Sequence, residues 1–268
     1  MKLAIIGYGK MGKMVERMAL EQGHTITDVV DPQATDTKPF SGAPLYRSIT
    51  EAETLCEAEA AIEFTRPDTA LANIKMLSEK KIPSVIGTTG WLDNFEAAQQ
   101  MVKSAGTAFI WASNFSIGVN IFYRIAWYAA SLADFFPEYD VGGFESHHNK
   151  KLDSPSGTAK TLVEGVLERI GRKEKAVWET LDRCPQSGEL HFPSLRVGSV
   201  PGTHSLFFDS PADTIEITHT ARSREGFASG AIRAAQWLIT PGTEDIRTGF
   251  FTIDDMLKDI LNLPGSVS

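Results

Sequence analysis

The feature that most restricts the fold of this chain is a glycine turn near its start. The apolar run KLAII at residues 2–6 leads into GYGKMG, which sets Gly7, Gly9 and Gly12 in a G-x-G-x-x-G pattern. A helical pattern and a second strand-like run, ITDVVD, follow, and this run closes on Asp31. Strand, glycine turn, helix, strand and acidic residue together form the dinucleotide-binding fingerprint. We therefore expect a Rossmann-type unit that binds a nicotinamide dinucleotide.

Each residue of the fingerprint has a physical role. Gly7 permits the tight turn, Gly9 lets the backbone approach a pyrophosphate, and Gly12 lets the helix pack closely on the strand. The helix start offers free N–H groups to the phosphates. The Asp31 carboxylate can accept hydrogen bonds from ribose hydroxyls and would repel a 2′-phosphate, although Lys38 lies nearby. NADH is therefore the favoured cofactor, NADPH is left open, and a glycine turn without a ligand is the alternative.

Strand and helix patterns alternate up to about residue 115. The strand-like runs AAIEFT, PSVIG and TAFIWAS are separated by helical patterns over residues 68–80 and 92–106. This alternation favours a parallel sheet with right-handed crossovers, whose ligands bind beyond the carboxyl ends of the strands. Small polar residues are also common in plain turns, so each strand end taken alone is ambiguous. Three strand ends carry such residues: Phe64–Arg66, Gly87–Gly90 and Asn114–Ser116.

The pattern changes after residue 116. A long amphipathic helix over 118–136 is followed by the strand-like runs SLRVG, THSLFFDS and DTIEITHTA, separated by Pro-containing turns. These runs favour an antiparallel or mixed sheet. A helix over 227–239 and the segment TGFFTIDDMLKDILNL close the chain. We expect an α/β protein with a dinucleotide-binding domain of residues 1–115 and 223–268, into which an α+β domain of residues 116–222 is inserted.

One stretch, ESHHNKKLDSPSGTAKTL at residues 145–162, concentrates positive side chains in a chain of net charge −8. It holds His147, His148, Lys150 and Lys151, and no acidic residue occurs from Ser146 to Leu152. On a regular strand the two histidines would point to opposite faces, so both can serve one pocket only if the strand ends near His147. A solvated basic loop is the alternative, and Lys150 fits that alternative best.

The same stretch predicts a helix start that can bind an anion. Ser154 or Ser156 is suited to cap the helix, and the N–H groups of Ser156, Gly157 and Thr158 would then point outward. With Lys151 a few residues earlier, these donors would hold a carboxylate. An ordinary capped helix is the alternative.

Composition excludes several classes of protein. A net charge of −8 argues against a nucleic-acid footprint, and no apolar run reaches the roughly 18–20 residues that a membrane span needs. The first apolar run, Leu3–Ile6, is shorter than the core of a signal peptide, so we expect a cytoplasmic protein. Cys56 and Cys184 lie far apart without metal-type spacing, which predicts neither a disulfide framework nor a metal centre.

Taken together, these residues resemble the dihydrodipicolinate reductases (4-hydroxy-tetrahydrodipicolinate reductases) of lysine and diaminopimelate biosynthesis. The signature ESHHNKKLDSPSGTA carries the resemblance, and GYGKMG, EFTRP, IGTTGW, SNFSIGVN, RVGSVPGTHSLFF and EITHTARSREGFASGA follow in family order. The resemblance implies reduction of 4-hydroxy-tetrahydrodipicolinate, a small cyclic dicarboxylate, to tetrahydrodipicolinate with NADH or NADPH. It also implies that the second domain binds substrate and joins four copies of the chain into a homotetramer.

The resemblance assigns a role to individual residues. His147 matches the proton donor, and Lys151 matches the second catalytic residue. Many relatives carry a basic residue directly after the acidic one, whereas Pro32 and Gln33 follow Asp31 here, which favours NADH. The expected substrate contacts are His148, Ser156, Gly157, Thr158 and Arg224. The expected cofactor contacts are Gly7, Tyr8, Gly9, Lys10, Met11, Gly12, Asp31, Gly87, Thr88, Thr89, Trp111, Ala112, Ser113, Asn114 and Phe115.

Two other functions remain possible at this point. One is a different oxidoreductase of the same architecture, such as a homoserine or semialdehyde dehydrogenase. A semialdehyde dehydrogenase would need a cysteine nucleophile, and neither Cys56 nor Cys184 lies in a suitable setting. The other is a nucleotide sensor without turnover, which would bind NADH regardless of His147 and Lys151.

Overall fold

A computed structural model describes residues 1–34, 38–240 and 247–261 of the chain. The chain divides into two compact units. The first takes its described residues from Met1–Ser116 and Glu225–Ser268, and the second is Ile117–Arg224. The binding role expected of each domain stays a prediction.

The described residues form thirteen strands and seven α-helices. Most of the runs recognised in the sequence become one element each. In chain order these elements are β1 (Lys2–Ile6), α1 (Lys10–Glu21), β2 (Thr25–Val30), β3 (Leu45–Tyr46), β4 (Ala60–Glu63), α2 (Pro67–Glu79), β5 (Ser84–Ile86), α3 (Phe95–Ala105), β6 (Ala108–Trp111), α4 (Ile117–Ala133), β7 (Asp140–His147), α5 (Gly157–Leu167), β8 (Lys175–Val177), β9 (Glu189–His191), β10 (Ser194–Arg196), β11 (Thr203–Asp209), β12 (Thr214–Thr220), α6 (Glu225–Ile239), β13 (Gly249–Thr252) and α7 (Ile253–Leu261).

The first unit is built on a seven-stranded parallel sheet of order β13-β6-β5-β4-β1-β2-β3. Its central strands are apolar on both faces because helices cover both sides, as parallel sheets require. Ala4 and Ile6 of β1 pack with Ile74 of α2 and Val102 of α3. On the other side, α1 packs against α6, which also contacts β4. The predicted Rossmann-type sheet is confirmed.

Some element boundaries differ from the sequence pattern. The helix expected over 92–106 is a short 3-10 turn at Leu92–Asn94 followed by α3, which ends at Gly106 with a left-handed φ of 64°. The edge strand β3 was not foreseen because a strand of two residues is too short to show any period.

The second unit contains a four-stranded mixed sheet of order β10-β7-β11-β12. β11 pairs antiparallel with β7 and β12, whereas β10 runs parallel to β7. Of the antiparallel and mixed sheets that the sequence left open, the mixed sheet is therefore confirmed. Val141, Leu206 and Phe208 on one sheet face pack with apolar residues of α4 and α5. Among the described helices, none is both long and apolar enough to cross a membrane.

Candidate active site

The glycine turn of the first unit is shaped by close backbone approach. Gly7 has a φ of +91°, and a Cβ added there would lie 2.2 Å from the carbonyl oxygen of Phe64. A Cβ at Gly12 would lie 2.0 Å from the carbonyl oxygen of Gly7. A Cβ at Gly9 would meet no atom within 4 Å. Gly7 and Gly12 are thus required by the chain itself, whereas Gly9 faces open space.

The start of α1 has the properties of an anion-binding site. Gly9 occupies the N-cap without a side-chain hydrogen bond, and the first turn contains no acidic residue. Within the described part of the chain, the N–H groups of Lys10, Met11 and Gly12 have no acceptor, while the Lys13 N–H bonds the Gly9 carbonyl at 3.1 Å. Unsatisfied N–H groups at a helix start fit a phosphate group. The residues present therefore fit the pyrophosphate of a dinucleotide.

Asp31 lies directly after β2 and ties the glycine turn together. Its carboxylate accepts the N–H of Tyr8 at 2.7 Å and that of Gln33 at 2.8 Å. A carboxylate has about four acceptor positions, so capacity for ribose hydroxyls remains. The Tyr8 side chain is 2% exposed, and its hydroxyl donates to Glu16. Tyr8 can therefore reach a cofactor only through its backbone.

A cavity of about 300 Å³ opens at the carboxyl ends of β1, β2, β3 and β4. Three of the predicted cofactor residues, Gly7, Gly9 and Asp31, line it. The sequence missed other lining residues, among them Arg47, which follows a strand too short to recognise. Thr65 and Arg66 also line the cavity.

A buried polar network lies beneath the ends of β4 and β5. The Thr65 N–H donates to the Thr88 hydroxyl at 2.7 Å, and the Thr65 hydroxyl donates to Glu63. Glu63 is fully buried, and burial raises its pKa although hydrogen bonds from Thr65, Thr88 and Asn73 act in the opposite direction. The Thr88 carbonyl accepts the indole N–H of Trp111 at 3.1 Å. Glu63 is part of the motif EFTRP, but the sequence assigned it no role, because it occupies one position in an apolar strand.

The predicted cofactor residues from Gly87 to Phe115 lie at the carboxyl ends of β5 and β6 and do not line this cavity. Gly87 packs against the Phe64 ring, and Asn114 accepts the Ser116 N–H at 2.8 Å. Phe115 is 1% exposed, so only its backbone could meet a cofactor. Ala112 is also buried, whereas Thr89 and Ser113 are exposed. The cofactor roles of these residues stay predictions.

In the second unit, β7 brings two functional side chains onto one sheet face. Glu145 and His147 are two positions apart on the strand and therefore point the same way. Ser194 and Arg196 of β10 pair with Glu145 and His147 respectively, and His204 of β11 pairs with Glu145. The core-facing side of the sheet thus ends in a polar cluster. We call these five residues the Glu145 cluster.

Glu145 is the centre of this cluster and is fully buried. Its Oε1 accepts the Ser156 N–H at 3.0 Å and the Ser194 hydroxyl at 2.7 Å, with Arg196 at 3.3 Å. Burial alone would raise the pKa of Glu145, but hydrogen bonds from His204, Ser156 and Ser194 hold it well below its usual range. Glu145 is therefore a buried carboxylate anion.

Ser156 differs from its predicted use. It caps α5 by accepting the Ala159 N–H at 3.1 Å, but its own N–H and hydroxyl both donate to Glu145. The anion that Ser156 binds is thus the Glu145 carboxylate of the same chain. The sequence did not indicate this contact because the two residues lie far apart along the chain. The adjacent Gly157 N–H has no acceptor in the described part of the chain, and a Cβ there would meet open space. Gly157 is therefore the better placed donor for a ligand.

His147 is buried, with 7% of its surface exposed. Burial lowers its pKa to about 4 against the opposing effect of Glu145, and the charges of His204, Lys151 and Arg196 act in the same direction as burial. Its Nδ1 lies 3.4 Å from the Glu145 carboxylate without a hydrogen bond. A Cβ at Gly202 would lie 2.8 Å from its Nε2. His147 is therefore neutral near pH 7, contrary to the expected cluster of positive charge.

The loop after β7 carries His148 and Lys151. Because β7 ends at His147, His148 leaves the strand, and its carbonyl accepts the Lys151 N–H at 3.1 Å. The Lys151 ammonium donates to both oxygens of Asp153, at 2.8 and 2.9 Å. Lys151 is thus partly compensated by an acidic residue that the sequence interpretation left out. Arg224 is exposed and takes no part in the hydrogen bonds of Glu145.

A parallel sheet covered on both faces, a glycine turn and an open helix start define a Rossmann-type dinucleotide-binding protein, and the second unit contributes a buried histidine. The family model described as dihydrodipicolinate reductase, N-terminus, matches residues 1–115. The model described as dihydrodipicolinate reductase, C-terminus, matches residues 118–257. The chain belongs to the dihydrodipicolinate reductase family, and the resemblance noted in the sequence is confirmed.

Individual relatives agree with this assignment. The chain is 38% identical to the 4-hydroxy-tetrahydrodipicolinate reductase of Christiangramia forsetii, over 97% of this chain and 99% of that protein. It is 34% identical to the reductase of the same name from Archaeoglobus fulgidus, over 96% and 100% of the two chains. A dipicolinate-bound dihydrodipicolinate reductase from Paenisporosarcina sp. TG-14 has the same fold, with a TM-score of 0.74, 22% identity and coverage of 94% and 97%.

Proposed function

We propose that this chain reduces 4-hydroxy-tetrahydrodipicolinate to tetrahydrodipicolinate in lysine and diaminopimelate biosynthesis. The curated relatives carry that reaction in their names at 34–38% identity over nearly the full chain. The observation that carries the proposal is the buried, neutral His147 on the same short segment as Lys151 and the start of α5. This segment combines a proton-transfer group with donors for a carboxylate.

The first unit would hold NADH or NADPH, which supplies the hydride when bound. The N–H groups at the start of α1 suit the pyrophosphate, and Gly9 leaves room for it. Asp31 suits the adenosine ribose, and its negative charge favours NADH over NADPH. The strand ends at Gly87–Thr89 and Trp111–Phe115 are the proposed contacts for the rest of the cofactor.

The second unit would hold the dicarboxylate substrate. The Gly157 N–H and Thr158 at the start of α5 suit one carboxylate, because helix starts attract anions. Lys151 would share its ammonium between Asp153 and the substrate. His148 and Arg224 are further proposed substrate contacts. Ser156 acts by fixing Glu145 and the helix start.

His147 is the proposed proton donor. The 4-hydroxyl of the substrate must first leave as water together with a proton from the neighbouring ring carbon. Reduction then adds a hydride to the carbon that lost the hydroxyl and returns a proton to the neighbouring carbon. A neutral imidazole is a poor acid, but two substrate carboxylates nearby would raise the pKa of His147 towards neutrality. The substrate would thus bring the proton donor into its acidic form. Glu145 would stabilise the imidazolium as it forms.

Oxidation of NADH and NADPH, followed at 340 nm, tests the proposed function. The substrate would be generated in place by a synthase from pyruvate and aspartate semialdehyde. Oxidation that requires both precursors and the synthase is expected, with NADH the faster of the two. A protein that binds either dinucleotide but oxidises neither would contradict the reductase and leave the nucleotide sensor.

A further inference from the structure

Arg47 lines the cavity of the first unit and has no assigned role, and the pairing of β2 with β3 explains its position. These strands run parallel, with Val30 opposite Tyr46, and the Asp31 N–H donates to the Tyr46 carbonyl at 2.9 Å. Asp31 and Arg47 are therefore the first residues after two neighbouring strands. Neighbouring strands lie about 4.8 Å apart, and parallel strands end at the same edge. The topology thus brings a cation to the side of the carboxylate that is predicted to bind the adenosine ribose.

Two arginines line the cavity, and they differ in their partners. The Arg66 guanidinium donates to the two oxygens of Asp68 at 3.2 and 2.9 Å. The Arg47 backbone N–H contacts Glu51 at 3.3 Å, but the Arg47 guanidinium has no hydrogen bond or ion pair with any described residue. Arg47 is exposed on the cavity wall. Its charge is therefore available to a ligand, whereas that of Arg66 is already compensated.

A guanidinium is suited to bind the 2′-phosphate of NADPH, which the Asp31 carboxylate would repel. A guanidinium presents a planar fork of donors that matches a phosphate with two parallel hydrogen bonds. A phosphate on the ribose 2′-oxygen would be repelled by Asp31 unless a cation beside it offset that charge. The residues after Asp31, Pro32 and Gln33, carry no charge. A basic residue at the end of the neighbouring strand can take the position that a basic residue directly after Asp31 would occupy.

We propose that Arg47 binds the 2′-phosphate of NADPH and that this contact lets the chain accept NADPH as well as NADH. The proposal rests on the proposed cofactor site of the first unit. It assigns cofactor choice to two opposing groups on adjacent strands, Asp31 for the free ribose and Arg47 for the phosphorylated one. Pro32, the residue directly after Asp31, then does not decide the choice between NADH and NADPH.

Calorimetric titration with NADH and NADPH in the absence of substrate tests this without turnover, because the two ligands differ only in the 2′-phosphate. The wild-type protein should bind both. Arg47→Ala should weaken NADPH by about 10- to 100-fold and NADH by less than about threefold. The affinity for NADPH should also fall more steeply with salt in the wild type than in the variant. Thermal unfolding of each variant checks that the exposed substitution leaves the fold intact.

Lys38→Ala is the matched control, because it removes one positive charge from the same region at a residue that does not line the cavity. It should leave both affinities within about twofold. Equal weakening of NADH and NADPH by Arg47→Ala would overturn the proposal and assign Arg47 to the adenine or the shared phosphates. No effect on either ligand, or a wild type that binds NADH alone, would also overturn it. Failure of the wild type to bind NADH would reject the cofactor site itself.

Discussion

At the scale of single residues, burial decides which charges of the signature ESHHNKKLDSPSGTA persist in the folded chain. His147 and Glu145 point to the same sheet face, yet burial keeps the histidine neutral while hydrogen bonds keep the carboxylate ionised. The ammonium of Lys151 is shared with Asp153. The positive character of the signature is thus smaller in the folded chain than its composition indicates. A dianionic ligand would restore it by drawing a proton onto His147.

Dicarboxylate binding should therefore be coupled to proton uptake. The pKa of His147 is about 4 in the free chain, so at pH 7 it carries no proton to lose. A bound dicarboxylate raises this pKa, so the complex holds more protons than the free protein and uptake grows as the pH falls from 8 to 6. Titration with dipicolinate at pH 7 in buffers of different ionisation enthalpy measures this uptake. His147→Gln should abolish it, and equal heats in all buffers for the wild type would contradict the assignment.

Replacement of Lys151 separates catalysis from cofactor binding. Lys151→Ala should lower kcat/KM by about 30- to 1000-fold, or about 2–4 kcal/mol, because a charge-assisted contact to the substrate is lost. NADH affinity should stay within about twofold. Lys150→Ala is the control, since Lys150 is the exposed neighbour with the same charge. Loss of NADH binding with turnover preserved per bound enzyme would show that the role given to Lys151 is wrong.

At the scale of elements, the turn from β1 into α1 uses its glycines in two different ways. Gly12 lies so close to the Gly7 carbonyl that a methyl group would force the helix away from the strand. Gly9 has a φ of −77° and open space where a Cβ would be. Only the bound pyrophosphate would need that space. Gly12 is therefore required by the fold, whereas Gly9 would be required by the ligand.

Alanine substitutions should separate these two uses. Gly12→Ala should destabilise the protein by about 1–3 kcal/mol, because the added carbon meets backbone. Gly9→Ala should change stability by less than about 0.5 kcal/mol but weaken NADH by at least about tenfold, since its methyl group enters the ligand space. Urea unfolding and NADH fluorescence titration measure the two effects. A Gly9→Ala variant that binds NADH normally would reject the pyrophosphate position.

At the scale of the whole molecule, each unit has its own core, and the second unit also has an apolar outer sheet face. Phe144 and Phe207 stack on that face with ring centroids 6.1 Å apart, and Leu195 beside them is 54% exposed. Alternation along the strands turns these side chains away from the face that α4 and α5 cover. Such a face is suited to contact with another protein surface. It fits the homotetramer that the resemblance implies.

Light scattering after gel filtration should give a mass of about four times the 29.3 kDa chain. Phe144→Glu should lower this mass, because a charge in a buried apolar interface is costly while the side chain is already partly exposed in the single chain. Glu138→Lys offers a control on an exposed residue ahead of β7. A wild-type mass of one chain would contradict the tetramer.

The sequence by itself determined the class of fold, because its signals are local. The glycine turn, the alternation of strands and helices, and the helix start after the Pro-Ser-Gly run each lie within a few residues and depend on backbone sterics and capping. The same locality makes the signature around His147 recognisable as that of a family. Short edge strands such as β3 were not predicted, because two residues are too few to show an alternating pattern.

Only the tertiary structure decided which charges and partners meet. Glu145 and Ser156 are joined by the fold, and Arg196 and His204 come from strands paired with β7. The β2–β3 pairing places Asp31 and Arg47 at the ends of neighbouring strands. Sheet register sets these contacts, and register depends on long-range packing that no local pattern encodes. Protonation follows from the same packing, since burial and not residue type makes His147 neutral. The class of protein is therefore encoded locally, and the state of its candidate site is encoded by the whole fold.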